Sequence, residues 1–314
     1  MTGDNKTLRV FAVLNRDGGI LRTTDIDGLS GILRHEFGFQ GHDISICSVA
    51  GKDVEKALAD AADDEAGDVI LAGGGDGTVS AAAATCWKSG KALGVLPAGT
   101  MNLYARTLQV PLEIEAAVQA LAAGRLARAD IATANGRPFI HQFSVGMQSR
   151  MVREREKLEY SSRLGKILAN IRAMTTLITR PPSFPAIIEA DGALASGNRS
   201  LVAISNNPHG PGHLPYADTI DAGKLGIYQV PELSASEAAG IASDLAIGSW
   251  ERNALLEWSL ASQVKLQFPR RKSGDHAVID GELVDLDEHV EIDIRPGELK
   301  VLLPKHSDSL PASP

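Results

Sequence analysis

The first third of the chain alternates short apolar runs with segments of helical spacing. Apolar runs of strand length occupy residues 8–14, 43–49, 68–71 and 93–96. Helix-patterned segments lie between them, at residues 26–37, 54–62 and 79–88. Such alternation is typical of a mostly parallel sheet whose strands are joined by helical crossovers. We therefore expect an N-terminal α/β domain over residues 1–126.

The pattern changes near Gly124, after which short β-rich stretches dominate. They occupy residues 129–134, 139–145, 186–190, 201–205, 225–230, 261–268, 277–284 and 290–294. Turn pairs such as Asn135-Gly136 and Asp191-Gly192 separate them, which is typical of antiparallel hairpins. We expect a β-sandwich domain over residues 127–306, with helical insertions at 148–179 and 235–247. Its last strand is a candidate to return to the first domain, and residues 307–314 form a Ser/Pro-rich tail that we expect to be disordered.

A glycine-rich stretch follows the buried run at residues 68–71. It reads Gly73-Gly74-Gly75-Asp76-Gly77-Thr78 and opens an Ala-rich helical segment. Glycines at the start of a helix let the backbone N–H groups approach a phosphate, and the helix dipole favours negative charge there. A tight strand-to-helix turn is the simpler alternative. The stretch lacks the Gly-Lys-Ser/Thr ending of a Walker A loop.

A second loop of the same kind follows the next apolar run. It contains Gly99, Thr100 and Asn102 and opens a helix that carries Arg106. Because the carboxyl ends of parallel strands meet at one edge of a sheet, the two loops are expected to lie side by side. Thr100 and Asn102 offer hydrogen-bonding groups and Arg106 a cation for phosphate. Helix capping is the alternative role for Thr100 and Asn102.

Composition and charge narrow the class of protein. The 314 residues are 44% hydrophobic and 22% charged, with a formal net charge of −8, so a nucleic acid is not the expected partner. Cys47 and Cys86 are the two cysteines, and their apolar surroundings indicate core thiols in a reducing compartment. No secretory signal and no membrane-spanning run is visible. We expect a cytoplasmic protein, at most peripheral on the inner face of the membrane.

Residues 150–180 differ from the rest in charge. Eight basic residues stand against three acidic ones, and Leu164, Ile167, Leu168, Ile171, Met174 and Ile178 form one apolar stripe at helical spacing. A basic amphipathic helix of this kind can lie on an anionic membrane surface. Packing of the stripe on the protein's own core, or on a second subunit in a homodimer, is the alternative.

Two carboxylates occur late in the chain, at Asp280 and Glu282. In an extended strand over residues 277–284 they would project from the same face, with Ile279 and Leu283 turned to a core. Paired carboxylates suit general-base chemistry. A hairpin turn at Asp280-Gly281 with an exposed Glu282 is the alternative.

Together these segments resemble the diacylglycerol kinase catalytic family. The resemblance rests on Gly73 to Thr78, then Pro97-Ala98-Gly99-Thr100-Met101-Asn102 with Ala105-Arg106, then Asp280-Gly281-Glu282, in this order and spacing. The family includes bacterial lipid kinases and the sphingosine and ceramide kinases, and it shares a superfamily with NAD kinases. The resemblance implies an α/β nucleotide domain, a β-sandwich domain and an active site in the cleft between them.

The resemblance also implies roles for individual residues. ATP with Mg²⁺ would donate its γ-phosphate to a hydroxyl of a lipid such as diacylglycerol, sphingosine or ceramide. The glycine loop and Thr100 would hold the ATP phosphates, and Asp76 would contact the nucleotide or Mg²⁺. Asp280 would be the general base, with Glu282 in support.

The chain departs from the family pattern in three places. Leu103 stands where many bacterial members carry an Asp after the Asn. Asn15 keeps its position in the first loop, but Arg16 replaces the usual proline. Ala222 stands where some bacterial members carry an Asp that helps to hold a structural Mg²⁺, so such a Mg²⁺ would require Asp221 as a substitute. Two other functions stay open: phosphorylation of a soluble substrate, as in NAD kinases, and a nucleotide or lipid sensor without catalysis.

Overall fold

The computed structural model describes residues 7–156, 175, 178–211, 215–250 and 253–305. These residues divide into two compact units. Unit 1 comprises the described residues up to Ile131, then Asp218–Ala222, then those from Pro296 onward. Unit 2 comprises those within Ala132–Ala217 and Gly223–Arg295. Residues 307–314, which we expected to form a disordered tail, lie outside the described part of the chain.

The strands and helices have the following bounds. The strands are β1 Arg9–Asn15, β2 Asp43–Val49, β3 Val69–Gly74, β4 Ala92–Pro97, β5 Arg125–Ala134, β6 Arg137–Phe139, β7 Gln142–Gly146, β8 Phe184–Ala190, β9 Ala193–Asn206, β10 Leu225–Pro231, β11 Glu257–Ala261, β12 Gln263–Gln267, β13 His276–Ile279, β14 Glu282–Asp285 and β15 His289–Leu303. The helices are α1 Ile26–Phe39, α2 Val54–Asp63, α3 Asp76–Ser89, α4 Leu103–Thr107, α5 Ile114–Ala122, α6 Met147–Glu156 and α7 Ala235–Ile247. Single 3₁₀ turns occupy Gly19–Arg22 and Gly51–Asp53.

A parallel sheet with the strand order β2-β1-β3-β4 forms the centre of unit 1. Every residue of β3 and β4 is buried, because helices cover both faces of the sheet: α1 packs with α5, and α2 with α3. Continuous apolar runs are what such doubly covered strands require. The predicted alternation of strands and helices in this part of the chain is confirmed.

The order of the strands determines where a ligand would bind in unit 1. From β1 the chain crosses to β2 on one side and then returns to β3 on the other side. Ligands of open α/β sheets bind at such a reversal, beyond the carboxyl ends of the strands. In this sheet that position is next to Asn15, at the end of β1, and Gly74, at the end of β3.

The fourth strand of this sheet has a late segment of the chain as its other neighbour. Lys300 and Val301 of β15 pair in parallel with Ala92 and Leu93 of β4. Leu302 and Leu303 are fully buried in unit 1. The first half of β15 pairs antiparallel with β12 in unit 2, from Gln263 opposite Asp293 to Gln267 opposite His289.

Unit 2 is antiparallel throughout its described strands. The ladder runs β14-β13-β7-β9-β8-β12-β15, and β10 joins β9 to β11. Inward residues of these strands form one apolar core that includes Phe139, Phe143, Val202, Ile204 and Ile292. The expected antiparallel architecture of this part is confirmed, and so is the helix at Ala235–Ile247.

Three expectations about individual elements were wrong or fall partly outside the structure. The stretch 277–284 is not one strand but the hairpin of β13 and β14, and 139–145 is divided between β6 and β7. The helix expected over 148–179 is described as α6 up to Glu156, and residues 157–174 with their basic and apolar positions lie outside the described residues. Among the helices that the structure describes, none has both the length and the hydropathy needed to cross a membrane.

The pairing of β15 with β4 yields a prediction for stability. Leu302→Ala should lower the free energy of unfolding by about 2–5 kcal/mol, because it leaves a cavity in a packed core. Leu194→Ala, at a side chain that is 70% exposed, should change it by less than about 0.5 kcal/mol. Urea unfolding of both variants measures the difference, and equal effects would contradict the placement of Leu302.

Candidate functional site

The glycine loop lies at the reversal point of the unit 1 sheet. Strand β3 ends at Gly74, and α3 begins at Asp76 with Gly75 as its N-cap residue. The helical hydrogen bond from Val79 N to Gly75 O is 3.1 Å long. The N–H groups of Asp76, Gly77 and Thr78 precede that bond and have no acceptor within the helix. They are therefore donors available to an anion at the helix N-terminus.

The second loop touches the first through its backbone. A Cβ atom added at Gly99 would lie 2.7 Å from the Cα of Gly75, which no real side chain tolerates. At Gly74 an added Cβ would lie 2.6 Å from Thr78 Oγ1. The bond from Ala98 N to Gly74 O, 3.2 Å long, continues the strand pairing into the loops. The structure thus brings the two predicted loops together, and close approach explains these glycines.

The carboxylate of Asp76 joins the two loops. Its Oδ1 accepts a hydrogen bond from Leu103 N at 2.7 Å, and its Oδ2 accepts one from Asn102 N at 3.2 Å. These donors belong to the N-terminal end of α4, so Asp76 caps a helix that follows the other loop. Backbone N–H donors account for the negative charge of Asp76 in the loop, and no metal is needed for that purpose.

Asn102 has the cap position of α4 but does not act as its cap. Its backbone is left-handed, with φ 51°, and its side chain makes no capping bond. Instead, the Oδ1 atom accepts from Gly99 N at 2.8 Å, and Nδ2 donates to Gly99 O at 3.0 Å. The alternative of helix capping is therefore wrong for the side chain of Asn102, which fixes the shape of its own loop.

Asn15 and Thr78 connect the loop that follows β1 to the glycine loop. Asn15 Nδ2 donates to Thr78 Oγ1 at 3.1 Å, so the bond spans the reversal point between β1 and β3.

Thr100 is exposed, and Arg106 is half-buried. Arg106 uses its Nε to bind Met101 O at 2.9 Å, which leaves its other N–H groups available to a ligand.

Sequence reasoning missed the part played by Gly19. Its φ is +50°, and an added Cβ would lie 1.7 Å from Ala98 O. The neighbouring Ile20 N donates to the same oxygen at 2.8 Å. The loop that follows β1 is thereby joined to the loop that follows β4. The pair Gly18-Gly19 directly after β1 is the sequence signal that could have indicated this contact.

In unit 2, Asp280 occupies the turn between β13 and β14. Asp280 and Gly281 have φ values of 48° and 92°, which is the two-residue turn typical of Asp-Gly hairpins. The expectation that Asp280 and Glu282 project together from an extended strand is wrong, and the hairpin alternative is confirmed. Asp280 is buried at 6% exposure, whereas Glu282 is exposed.

Three backbone N–H groups converge on the Asp280 carboxylate. Ile140 N donates to Oδ2 at 3.0 Å, and His141 N and Gln142 N donate to Oδ1 at 2.9 and 3.0 Å. The two strands β6 and β7 are separated here because these donors turn to the carboxylate rather than to a neighbouring strand. Asp280 thus fixes the course of the chain around His141.

A histidine and aromatic cluster lies beside this turn. The ring of His209 stacks on Tyr228, with centroids 4.7 Å apart, and on His141, with centroids 5.7 Å apart. Its backbone N donates to Tyr228 Oη at 2.7 Å. Burial, with a smaller effect of His141, lowers the pKa of His209 to about 3. The imidazole is therefore neutral at physiological pH.

The donor sets bear on which cofactors the residues can hold. The free N–H groups at the start of α3 suit phosphate. Within the described ranges, no three His, Cys, Asp or Glu side chains cluster in a way that could hold a metal ion by themselves. Asp221 is exposed, and no acidic cluster surrounds it in the described part of the chain. Cys86 is a buried core thiol, and burial raises its pKa to about 12.

Fold and site together define a doubly wound α/β protein with a second antiparallel unit and a helix N-terminus suited to phosphate. The model of the diacylglycerol kinase catalytic domain matches residues 9–134. The Pseudomonas syringae protein named "Probable lipid kinase YegS-like" is 30% identical over 258 residues, which cover 78% of this chain and 79% of that protein. The diacylglycerol kinase of Bacillus subtilis is 26% identical over 235 residues, covering 72% and 77%.

A solved structure has the same fold. The crystal structure of a diacylglycerol kinase from Bacillus anthracis superimposes with a TM-score of 0.70 over 96% of this chain and 98% of that one, at 19% identity. With the matches in sequence, the conclusion is direct. The chain belongs to the diacylglycerol kinase catalytic family, a family of lipid kinases.

The bonds of Asp76 predict a measurable effect on stability. Asp76→Ala should lower the free energy of unfolding by about 0.5–2 kcal/mol, because two N–H groups of α4 lose their acceptor. Asp76→Asn keeps one acceptor oxygen and should lose less. Asp63→Ala removes an exposed carboxylate at the end of α2 and serves as the control in urea unfolding. A loss no larger than that of the control would contradict the capping role.

The buried His209 predicts how stability depends on pH. The pKa of this group is lower in the folded state than in the unfolded state, so unfolding takes up a proton between about pH 6.5 and pH 3. The contribution of His209 to the free energy of unfolding is therefore complete above about pH 6.5. It falls as the pH decreases through this window, by up to about 1.4 kcal/mol per pH unit.

His209→Phe keeps a stacked ring and should flatten the pH dependence across this window. His289→Gln, at an exposed position in the same unit, should leave the slope unchanged. Denaturant unfolding at a series of pH values measures both slopes. A wild-type slope that persists in His209→Phe would refute the assignment.

Proposed function

We propose that the protein is an ATP-dependent lipid kinase, which transfers the γ-phosphate of ATP to a lipid hydroxyl. The observation that carries the proposal is the pair of loops joined at the reversal point of the sheet, with free N–H groups at the start of α3. Phosphoryl transfer depends mainly on alignment and on neutralisation of negative charge. A preformed loop pair with donors at a helix N-terminus suits both requirements.

On the donor side, the backbone of Gly73 to Thr78 and of Gly99 is proposed to bind the phosphates of ATP. Thr100 offers an exposed hydroxyl, and Arg106 has N–H groups left over for a phosphate oxygen. We assign Asn15, Asn102 and Asp76 to the positioning of these loops, because their side chains bind loop backbone or Thr78.

Mg²⁺ is proposed to accompany ATP. It usually keeps several waters and binds through substrate phosphates with one or two carboxylates, so it does not require a protein cage. When bound, it neutralises charge on the transferred phosphoryl group. Each oxygen of Asp76 accepts one N–H and keeps a second lone pair, so Asp76 can position the loops and still contact the metal directly or through water.

On the acceptor side, we propose that Asp280 accepts the proton of the lipid hydroxyl and that Glu282 supports it. The N–H groups of Ile140, His141 and Gln142 hold the Asp280 carboxylate in one orientation. A general base requires such a fixed position relative to the proton that it accepts. Exposed Glu282 contributes charge next to Asp280 along the hairpin.

Diacylglycerol is the first acceptor to test, since the Bacillus subtilis relative is a diacylglycerol kinase. Sphingosine and ceramide extend the panel to other lipid alcohols. A lipid acceptor resides in a bilayer, so we further propose that the enzyme works at the membrane surface, from the cytoplasmic side. Arg150, Arg153 and Arg180 are the described members of the basic segment that would contact anionic lipid.

The purified protein with ATP and Mg²⁺ should phosphorylate at least one lipid of this panel, measured with radiolabelled ATP in mixed micelles. Asp280→Asn should reduce kcat at least about a hundredfold, because a general base is lost. Binding of ATP, measured by calorimetry, should stay within about twofold of the wild-type affinity if the base acts only in transfer.

Asp285→Asn is the matched control, since it removes an exposed carboxylate from the same hairpin. The amide introduced by Asp280→Asn would face backbone N–H groups, so thermal unfolding of each variant must show that unit 2 stays folded. Full activity of Asp280→Asn would refute the role of Asp280 as the base. NADP formation in place of lipid phosphorylation, or ATP binding with no turnover on any lipid, would refute the proposed function.

A further inference from the structure

Unit 2 contains a cavity that the proposed transfer reaction does not use. Its volume is about 670 Å³. It opens at the His276 end of β13, whereas Asp280 follows the other end of that strand. About four residues of extended chain separate the two positions, or about 13 Å at roughly 3.3 Å per residue. A group bound in the cavity therefore lies apart from the proposed general base.

The walls of the cavity are strongly basic. Five cationic side chains line it: Arg150, Arg153, Arg270, Arg271 and Lys272. Among the lining residues that the structure describes, Asp275 is the only acidic one. In the part of the chain that the structure describes, none of the five cations forms an ion pair with a carboxylate. Their charges therefore add up in a concave region, where the walls concentrate the field.

Backbone carbonyls orient three of the arginines. Arg150 Nη1 donates to Arg180 O at 2.8 Å, and Arg153 Nη1 donates to Gly274 O at 3.4 Å. Arg271 Nε donates to Leu286 O. A guanidinium has five N–H donors, so each of these arginines keeps donors for a ligand. Orientation in advance of binding reduces the entropy that binding would cost.

Among the described lining residues, Asp275 offsets one of the five positive charges, and His276 adds a polar atom without a partner. The Asp275 carboxylate accepts Lys272 N at 2.7 Å and is thus directed at its own turn. His276 has a buried Nδ1 atom with no hydrogen-bond partner, and its Nε2 atom lies 3.8 Å from Asp285. A buried polar atom without a partner is unfavourable, and a ligand oxygen in the cavity would supply one.

The inner wall of the cavity is apolar. Its accessible apolar surface comes from the half-buried Pro182, Phe184 and Pro185. The lining also includes Val145, Phe268 and Leu286, which are core residues of unit 2 and at most 5% exposed. A small hydrated anion would satisfy the cations but would leave this wall in contact with water. A ligand with a hydrocarbon part next to its charged group would use both surfaces.

We propose that this cavity binds the phosphate group of an amphiphilic phosphate ester, in which a phosphate is joined to a hydrocarbon chain. The arginines bind the phosphate oxygens, for which the guanidinium fork has the right geometry. The apolar wall contacts the first carbons of the chain. The site shares Arg150 and Arg153 with the proposed membrane contact, but binding of a phosphate ester there goes beyond the transfer reaction and does not depend on turnover.

The first test uses the full-length protein without ATP, so that it does not depend on the kinase reaction. Calorimetric titrations with hexyl phosphate, inorganic phosphate and hexanol separate the two parts of the ligand. Hexyl phosphate should bind at least about tenfold more tightly than either, because it alone engages cations and apolar wall together. Equal affinity for hexyl phosphate and inorganic phosphate would overturn the proposal.

Arg270→Gln is the variant of choice, because Arg270 is exposed and its side chain forms no hydrogen bond with described residues. It should weaken hexyl phosphate binding about tenfold, the typical effect of one lost charge-assisted bond. Arg137→Gln removes an exposed arginine elsewhere in unit 2 and should leave the affinity unchanged. Equal affinities of the two variants would also overturn the proposal.

A second experiment distinguishes the two sources of the ester. Co-sedimentation with phosphatidylcholine vesicles, with and without phosphatidic acid, is compared for wild type, Arg270→Gln and Arg137→Gln. Sedimentation that requires phosphatidic acid and Arg270 supports the proposal with a membrane lipid as the source. Binding of hexyl phosphate that requires Arg270, without such sedimentation, supports it with a soluble ester as the source.

Discussion

The capping of α4 by the Asp76 carboxylate is the interaction on which the candidate site depends. Two backbone N–H groups from one loop bind a side chain of the other. This contact, with the backbone approach of Gly75 and Gly99, holds the loops in one arrangement before any ligand binds. Preorganised donors stabilise a charged transition state better than donors that must first reorient. The position of the N–H groups of α3 therefore follows from the contact between its first residue, Asp76, and the start of α4.

The same physical device recurs at Asp280. There too a carboxylate after a buried strand accepts backbone N–H groups from a distant segment. In both places a carboxylate that the sequence indicates as a candidate site residue also determines the path of the backbone. A side chain held in this way can act on a substrate with little loss of entropy. Because each carboxylate has both parts, a substitution of Asp76 or Asp280 is expected to affect structure and activity together.

The proposed anion site in the basic cavity of unit 2 differs in kind from the one at the start of α3 in unit 1. At the start of α3 the donors are backbone N–H groups, which require only close approach and therefore glycine. In the cavity the donors are guanidinium groups placed by carbonyl oxygens. Under the proposed function at a membrane surface, a lipid phosphate bound at a distance from the proposed general base would couple activity to the surface on which the substrate resides.

The sequence by itself determined the parallel sheet of unit 1, the antiparallel class of unit 2 and the two loops, because apolar periodicity and glycine positions report local constraints. The family followed from the order of the motifs. The tertiary structure alone decided what Asp76, Asn102 and Asp280 bind, since their partners are backbone N–H and C=O groups that no residue type reveals. It also decided that Asp280 and Glu282 lie on a hairpin. An Asp-Gly pair is compatible with strand or turn, and the three donors at residues 140–142 select the turn. The basic cavity collects side chains that are far apart along the chain, from Arg150 to Lys272, so no sequence pattern could have shown it.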